Sequence, residues 1–234
     1  MTSLFSIHNI LHHFNLGSGY DLSYVEAVGT IFGLLCFVYA GRERRVNFVF
    51  GSINAILFAV IFYQLQLYAN LFLQGFFLIL NIYGLYAWGK ANPKQQALTI
   101  RWLTLKGLVV STVSTIILIL ILTKYIDELF NCLTLILLKG MRYIGINLTM
   151  PAMQVDPNPL MDAVVTVLSV VAMLLMARKY LENWWLWIAV GITSTVLYAQ
   201  QGVYFMALEY IVVTFISGHG LILWLRYSKV NGVK

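Results

Sequence analysis

Seven long apolar segments constrain the fold of this chain more than any other feature. Each is close to the roughly 20 residues that a helix needs to cross a bilayer. Only 10% of the 234 residues are charged and 60% are hydrophobic, whereas an ordinary soluble domain is about 25% charged. The sequence therefore predicts an all-α integral membrane protein and excludes a separate soluble domain. The predicted spans are 23–40, 47–64, 70–88, 107–124, 160–177, 183–200 and 206–225.

The remaining stretches are short. An amphipathic stretch at 126–148 carries Lys139 and Arg142, which favours a helix along the membrane surface. The N-terminal segment, 1–22, lacks the basic start of a cleavable signal peptide. We expect it to remain as a short interfacial helix, and we interpret Cys36 and Cys132 as packing residues. The apolar side of that helix would consist of Phe5, Ile7, Ile10, Leu11 and Phe14.

The distribution of basic residues predicts the orientation, because Lys and Arg accumulate in cytoplasmic connections. With seven spans, one side of the membrane receives all of the 15 basic residues except Lys124, Lys139 and Arg142. The N-terminus is then outside and the C-terminus, 226–234, is a cytoplasmic tail. The net charge of +6 is explained by this topology and by anionic lipid headgroups, so nucleic-acid binding finds no support.

An internal repeat appears when the sequence is aligned with itself at an offset of 136 residues. Polar, glycine and tryptophan matches carry more weight than apolar ones, which arise by chance in such a chain. Glu26 also falls on Asp162, and both begin a span, which suggests a structural cap. The matching pairs include Thr30 and Thr166, Arg42 and Arg178, Asn47 and Asn183, Gln64 and Gln200, Tyr68 and Tyr204, Gly84 and Gly220, and Trp88 and Trp224.

The repeat predicts the arrangement of the spans. Three spans end on the side opposite to where they began, so a second triplet in the same orientation needs one additional crossing. The prediction is a first three-helix repeat (23–88), a linker with the fourth helix (89–159) and a second repeat (160–225). In transporters with parallel repeats the substrate lies near the midplane where the halves meet, and SWEET-type sugar carriers have this 3+1+3 organisation.

Several segments, in order, resemble the PnuC nicotinamide riboside transporters of bacterial inner membranes. They are YDLSYVEAVGTIFGLLC (20–36), LYANLFLQGFFLILNIYGLYAW (67–88), ARKYLENWWLW (177–187) and QGVYFMALEYI (201–211). The resemblance implies a homotrimeric facilitator that admits unphosphorylated nicotinamide riboside, an NAD precursor. It further implies a cytoplasmic riboside kinase that traps the product without direct contact.

The sixth span carries most of the family's signature, which is Trp, two residues, Trp, three residues, Asn. Trp184 and Trp187 match it, but Gly191 stands where the family has Asn. Either a water or a neighbouring side chain replaces the missing amide at this position, or the substrate preference differs. These positions share one helical face, and aromatic faces attract a pyridinium cation. The resemblance favours a substrate clamp for both tryptophans, whereas Trp185 is interpreted as part of an interfacial aromatic belt.

Polar side chains inside predicted spans are the other candidates, because such groups tend to face the bundle interior. Each of them has a structural alternative, as a hydrogen bond between helices or as a solvated surface group. Glu209 is the one acidic candidate, and it could balance the pyridinium charge. The set comprises Asn54, Gln74, Asn81, Tyr83, Glu209, Thr214 and His219.

Enzymatic chemistry is not indicated. The sequence contains no phosphate-binding glycine loop, no paired metal ligands and no nucleophile with a suitable histidine. We therefore expect a transporter without a cofactor or metal, working by facilitated diffusion. The alternatives are a transporter of the same fold for thiamine or another aromatic vitamin, which the altered position Gly191 keeps open, and a membrane enzyme or assembly subunit.

Overall fold

The computed structural model describes residues 10–12, 22–65, 67–89, 98–143, 145 and 157–230. Within these residues the chain forms seven α-helices and one short pair of strands. The strands are β1 (Ile10–His12) and β2 (Leu22–Ser23). The helices are α1 (Tyr24–Gly41), α2 (Val46–Gln64), α3 (Tyr68–Ala87), α4 (Leu105–Tyr143), α5 (Pro159–Ala177), α6 (Asn183–Gln200) and α7 (Tyr204–Val230).

Six of the helices form a closed ring. Following the contacts around it, α1 packs on α2, α2 on α3, α3 on α5, α5 on α6, α6 on α7, and α7 returns to α1. The linking helix α4 lies outside the ring and packs on α5 and α3. The predicted seven-helix fold with a linking fourth helix is therefore confirmed.

The two triplets repeat the same packing. In the first repeat the rings of Phe48 and Trp88 meet edge to face, with centroids 4.9 Å apart. The residues 136 positions later, Trp184 and Trp224, meet in the same way at 5.5 Å. The side-chain amide of Asn47 donates to the carbonyl of Arg44, and that of Asn183 to the carbonyl of Tyr180. The repeat seen in the sequence thus extends to individual side-chain contacts.

One end of the ring is filled by a buried core. This end, which we call the basic end, is where α1 and α5 finish and where Arg42, Arg44, Arg45, Arg178 and Lys179 lie. Apolar side chains from both repeats meet there, together with Ile100 from the α3–α4 connection, and leave little exposed surface. The buried members are Ala40, Phe48, Leu80, Ile100, Met173, Met176, Leu181, Trp184, Leu221 and Trp224.

Six of the seven helices are long and apolar enough to cross a membrane. The exception among the described residues is α6, which carries three tryptophans together with Asn183, Ser194 and Gln200. Because α5 and α7 flank it in the ring, its polar groups can be shielded from lipid by neighbouring helices.

The amphipathic stretch predicted at 126–148 is helical as far as Tyr143, and a break at Tyr125 (φ −120°, ψ 21°) separates it from the first part of α4. Two other sequence expectations are wrong in detail. Ile10 and Leu11 lie in strand β1, which pairs with β2, and not in an interfacial helix; the other members of that proposed helix lie outside the described residues. Cys132 is exposed on α4 and does not pack in a core.

Candidate functional site

Trp184 lies at the start of α6 and is completely buried. Its ring packs edge to face on Trp224 and covers Gly220, where an added Cβ would approach the indole to 2.5 Å. Trp184 is therefore part of the basic-end core, and its contacts in the structure are packing contacts. The substrate clamp expected for it stays a prediction.

Trp187 lies one helical turn further from the basic end. Its ring meets the ring of Phe37 on α1 edge to face, with centroids 4.8 Å apart. Since α7 separates α1 from α6 around the ring, this contact runs across the ring's interior. Trp185, by contrast, is 56% exposed and faces away from it. The structure therefore places an aromatic pair, Phe37 and Trp187, inside the ring.

Several buried polar atoms have no hydrogen-bond partner among the described residues. They include the Nε1 atoms of Trp184 and Trp187, the Oδ1 atom of Asn81 and the Oγ atom of Ser217. A buried polar group without a partner is unfavourable. Where such a group lines the interior of the ring, a polar solute can satisfy it.

Ser217 is a candidate that the sequence reasoning missed. It lies on α7, is fully buried, and stands 136 residues after Asn81. The offset that revealed the repeat would have identified it from the polar residue in the first half.

The two repeats carry different residues at the equivalent positions Gly51 and Trp187, and Asn81 and Ser217. Asn81 donates through Nδ2 to the carbonyl of Phe77 at 2.9 Å, and its Oδ1 lies so close to Gly51 that any Cβ there would collide with it. The residue 136 positions after Gly51 is Trp187. The first repeat thus offers an amide beside a glycine, and the second offers a tryptophan and a hydroxyl.

Asn54 and Glu209 connect neighbouring helices. Asn54 Nδ2 donates to the carbonyl of Gly29 on α1 at 2.8 Å. Glu209 accepts a hydrogen bond from Thr30 Oγ1, also on α1, at 3.1 Å. Both contacts agree with the structural alternative for polar groups between membrane helices. Glu209 differs from Asn54 in that its acidic group could also balance the charge of a pyridinium cation.

Gly191 lies in a close contact between α6 and α7. It is buried, and a Cβ at this position would collide with Oγ1 of Thr214. Thr214 itself donates to the carbonyl of Tyr210 at 2.8 Å. The expectation that water or a neighbouring side chain replaces a missing amide here finds no space in this geometry, because the helix backbones approach each other at the glycine.

The remaining candidates are not brought together with the aromatic pair. Tyr83 is 39% exposed and His219 is exposed on the outer stripe of α7 with Phe215 and Ile222. Gln74 lies half-buried on α3, two turns from Asn81. We therefore leave Tyr83 and His219 out of the proposed site.

A cavity of about 240 Å³ lies outside the ring, between α4 and the second repeat. Its walls are mostly aliphatic, from Leu108, Ile116 and Leu168 among others, with Glu182 at one side. It does not contain the aromatic pair and is distinct from the candidate site. Among the described residues, no group of His, Cys, Asp and Glu is arranged to hold a metal ion.

The ring helices contain almost no positive charge. Their Lys and Arg residues are Arg226 and Lys229, near the end of α7. The acidic residues of these helices are Glu26, Asp162 and Glu209, of which the first two lie in the opening turns of α1 and α5. A cationic or neutral solute is therefore compatible with the ring, whereas an anion would find a basic partner in these helices only near the end of α7.

Residues 23–226 match the model of a family described as nicotinamide mononucleotide transporter. A relative from Escherichia coli (strain K12), called nicotinamide riboside transporter PnuC, is 46% identical over 230 residues, covering 97% of this chain and 96% of the relative. A relative of the same name from Neisseria mucosa is 29% identical over 76% of this chain and 60% of its own length.

A solved structure described as the vitamin B3 transporter PnuC has a similar fold. The TM-score is 0.60, the sequence identity is 23%, and the match covers 88% of this chain and 82% of the other.

Proposed function

Because this chain belongs to the PnuC family of membrane transporters, we propose that it carries nicotinamide riboside across the bilayer through the interior of its helix ring. It is a transporter and not an enzyme. The observation that carries the proposal is the Phe37–Trp187 contact across the ring, because it places aromatic faces where a flat pyridinium cation would pass. Each such face contributes about 0.5 to 2 kcal/mol, depending on desolvation.

Three of the buried polar atoms without a partner match the polar parts of the riboside. Trp187 Nε1 is a donor, Asn81 Oδ1 an acceptor, and Ser217 Oγ both. The carboxamide and the ribose hydroxyls need both kinds of partner. In this arrangement Trp187 and Phe37 contact the pyridinium ring. The Asn81 amide and the Ser217 hydroxyl contact the carboxamide and the ribose hydroxyls of the riboside. Trp184 supports Trp187 from the basic-end core.

The riboside, and not its monophosphate, fits the charge of the ring. A monophosphate carries roughly 1.5 to 2 negative charges at neutral pH, and charges inside a membrane need paired partners. The ring helices hold Lys or Arg only at Arg226 and Lys229, close to one end. The lack of other basic residues in these helices favours nicotinamide riboside, which the relatives' names give, over the mononucleotide of the family description.

The positive-inside rule places the basic end in the cytoplasm. The N-terminus is then outside, the C-terminus inside, and the protein lies in the bacterial inner membrane as a homotrimer, as the resemblance implies. A cysteine placed in the 201–205 connection should react with an impermeant reagent from outside, and one at position 229 only from inside. Reversed labelling would overturn this orientation.

Binding and flux together test the function. Purified protein is titrated side by side with nicotinamide riboside, nicotinamide mononucleotide and thiamine, and uptake of each is measured in protein-containing liposomes. We expect riboside binding and flux down its gradient, without ATP or an ion gradient. Comparable flux of the mononucleotide would overturn the charge argument. Preferential binding of thiamine would favour the alternative vitamin transporter, which is supported by Gly191 standing where the family has Asn.

A further inference from the structure

Two residues at equivalent positions of the repeats contact each other. Glu43 lies between α1 and α2, and Lys179, 136 residues later, lies between α5 and α6. The Lys179 Nζ atom is 2.5 Å from the Glu43 Oε1 atom. The two side chains are 22% and 12% exposed, so the ion pair sits in a partly shielded position at the basic end.

The ion pair spans the ring. In the order α1, α2, α3, α5, α6, α7, the α1–α2 connection is opposite the α5–α6 connection, with α3 on one side and α7 on the other. A contact between these connections therefore crosses the mouth of the ring at its diameter. It joins the two repeats on their pseudo-two-fold axis.

The backbone at both positions is unusual. Among the described residues, Glu43 (φ 55°) and Lys179 (φ 57°) are the non-glycine residues with positive φ. Each terminates its helix with the same pair of hydrogen bonds: Glu43 N to Ala40 O with Arg44 N to Tyr39 O, and the equivalent bonds 136 residues later. This is the Schellman motif, in which glycine is the preferred left-handed residue.

The choice of residue at these positions needs a reason beyond the turn. Glycine would adopt the left-handed conformation without the steric cost that a side chain incurs. Both repeats instead carry a long charged side chain there, of opposite sign, and the two charges meet. Backbone strain that is retained in a fold is a pointer to function when the observation comes first.

Lys179 is presented from a braced connection. Its Nζ atom lies 4.7 Å from the centre of the Trp88 ring, and its carbonyl accepts a hydrogen bond from Arg101 N at 3.1 Å. Leu181 N in turn donates to the Arg101 carbonyl at 2.9 Å. The lysine is therefore held toward the mouth by the α3–α4 connection.

We propose that the Glu43–Lys179 ion pair is a latch that closes the cytoplasmic mouth of the ring and must open each time a solute leaves the ring on that side. This proposal rests on the transport function and on the orientation given above. Parallel-repeat transporters alternate access by moving one repeat against the other, and this pair joins the repeats where they would separate. Partly exposed ion pairs contribute little to folding, which suits a contact that forms and breaks repeatedly.

Reversible cross-linking tests the latch. Glu43→Cys and Lys179→Cys are combined in a background carrying Cys36→Ala and Cys132→Ala; alanine is also what the repeat has at the position equivalent to Cys36, Ala172. A short bifunctional methanethiosulfonate joins the two cysteines, and a reductant releases them. Riboside flux into liposomes and riboside binding in detergent are measured before cross-linking, after it, and after reduction, with each single-cysteine variant treated in parallel.

We expect the cross-link to lower flux by at least about tenfold, with recovery on reduction and with little change in the single-cysteine variants. Flux that is unaffected by a completed cross-link would overturn the latch and identify the pair as a static clasp. Absence of riboside flux in the native protein would instead overturn the transport function, so the two failures are distinguishable.

A charge exchange provides a second test if the cysteine variant fails to bind riboside. Glu43→Lys and Lys179→Glu should each change flux by at least about threefold, and the double exchange should return it to near the native rate, as expected for two residues that act as a pair. The left-handed backbone carries a long side chain in every variant, which makes the exchange a matched control. Failure of the double exchange to restore flux would overturn the proposal.

Discussion

The indole Nε1 of Trp224 donates a hydrogen bond to the carbonyl oxygen of Ala40, 3.2 Å away, and thereby joins the last helix of the second repeat to the first helix of the first. The first repeat makes an equivalent hydrogen bond: Trp88 Nε1 donates to the carbonyl of Ala177, at the end of α5, at 3.1 Å. Each repeat therefore closes the ring by holding the end of the other's first helix. The two bonds explain why both tryptophans recur at the offset of 136.

These bonds predict a specific loss of stability. Trp224→Phe and Trp88→Phe keep an aromatic ring but remove the donor, and each leaves a carbonyl near a helix end without its indole partner. We expect each variant to lower the free energy of unfolding by about 1 kcal/mol. Thermal or denaturant unfolding in detergent measures the loss. Trp185→Phe, on an exposed face, is the matched control, and an equal loss there would contradict the assignment.

The aromatic pair predicts a selective loss of affinity. Trp187→Ala removes the face that lies across the ring from Phe37 and should weaken riboside binding by about 1 kcal/mol or more, which isothermal titration can detect. Trp185→Ala should leave the affinity near its native value. Trp184→Ala is not a clean test, because truncating a fully buried tryptophan costs about 3 to 5 kcal/mol of stability. Equal effects of Trp185 and Trp187 would support an aromatic belt for both.

Much of the fold could be predicted from the sequence, since apolar periodicity and a fixed repeat both reflect packing. The range predicted for the sixth span, 183–200, matches α6, and the pairs Trp88 and Trp224 or Asn47 and Asn183 make equivalent contacts. The helix that follows the fourth span could also be predicted from its amphipathic pattern, and the break at Tyr125 separates it from that span.

The candidate site was harder to predict for two physical reasons. A single serine such as Ser217 gives no signal by type, because its importance comes from burial without a partner. The Glu43–Lys179 pair gives no repeat signal, because residues that meet across a two-fold axis are selected for complementarity, whereas an alignment rewards identity. The comparison with the family signature indicates a missing side chain at Gly191, whereas the structure has a close approach of two helices there.

The Gly191 contact predicts that added volume destabilises the protein. Gly191→Ala introduces a Cβ that collides with Thr214 Oγ1, and overpacking of this kind costs about 1 to 3 kcal/mol. Gly191→Asn should be worse, and should not improve riboside binding. Thr214→Ala removes the clashing hydroxyl, so the double variant Gly191→Ala/Thr214→Ala should recover part of the loss. A stable Gly191→Asn protein with improved affinity would restore the idea of a missing amide contact.

The two left-handed residues predict an effect on stability that is opposite to that of an ordinary glycine substitution. Glu43→Gly and Lys179→Gly remove side chains at φ 55° and 57°, where glycine relieves a steric cost of roughly 1 to 2 kcal/mol. The lost ion pair offsets about 0 to 1 kcal/mol of that gain. The double glycine variant should therefore unfold at the native temperature or above it in detergent.

Arg42→Gly is the matched control for this prediction, because Arg42 lies in the same connection at φ −87°, where glycine brings flexibility without relief of strain. We expect this variant to unfold at the native temperature or slightly below it. If the double glycine variant lost several degrees while Arg42→Gly did not, the ion pair would be a necessary part of the fold. If it keeps its stability but its riboside flux changes, the strain and the charges at Glu43 and Lys179 are retained for transport.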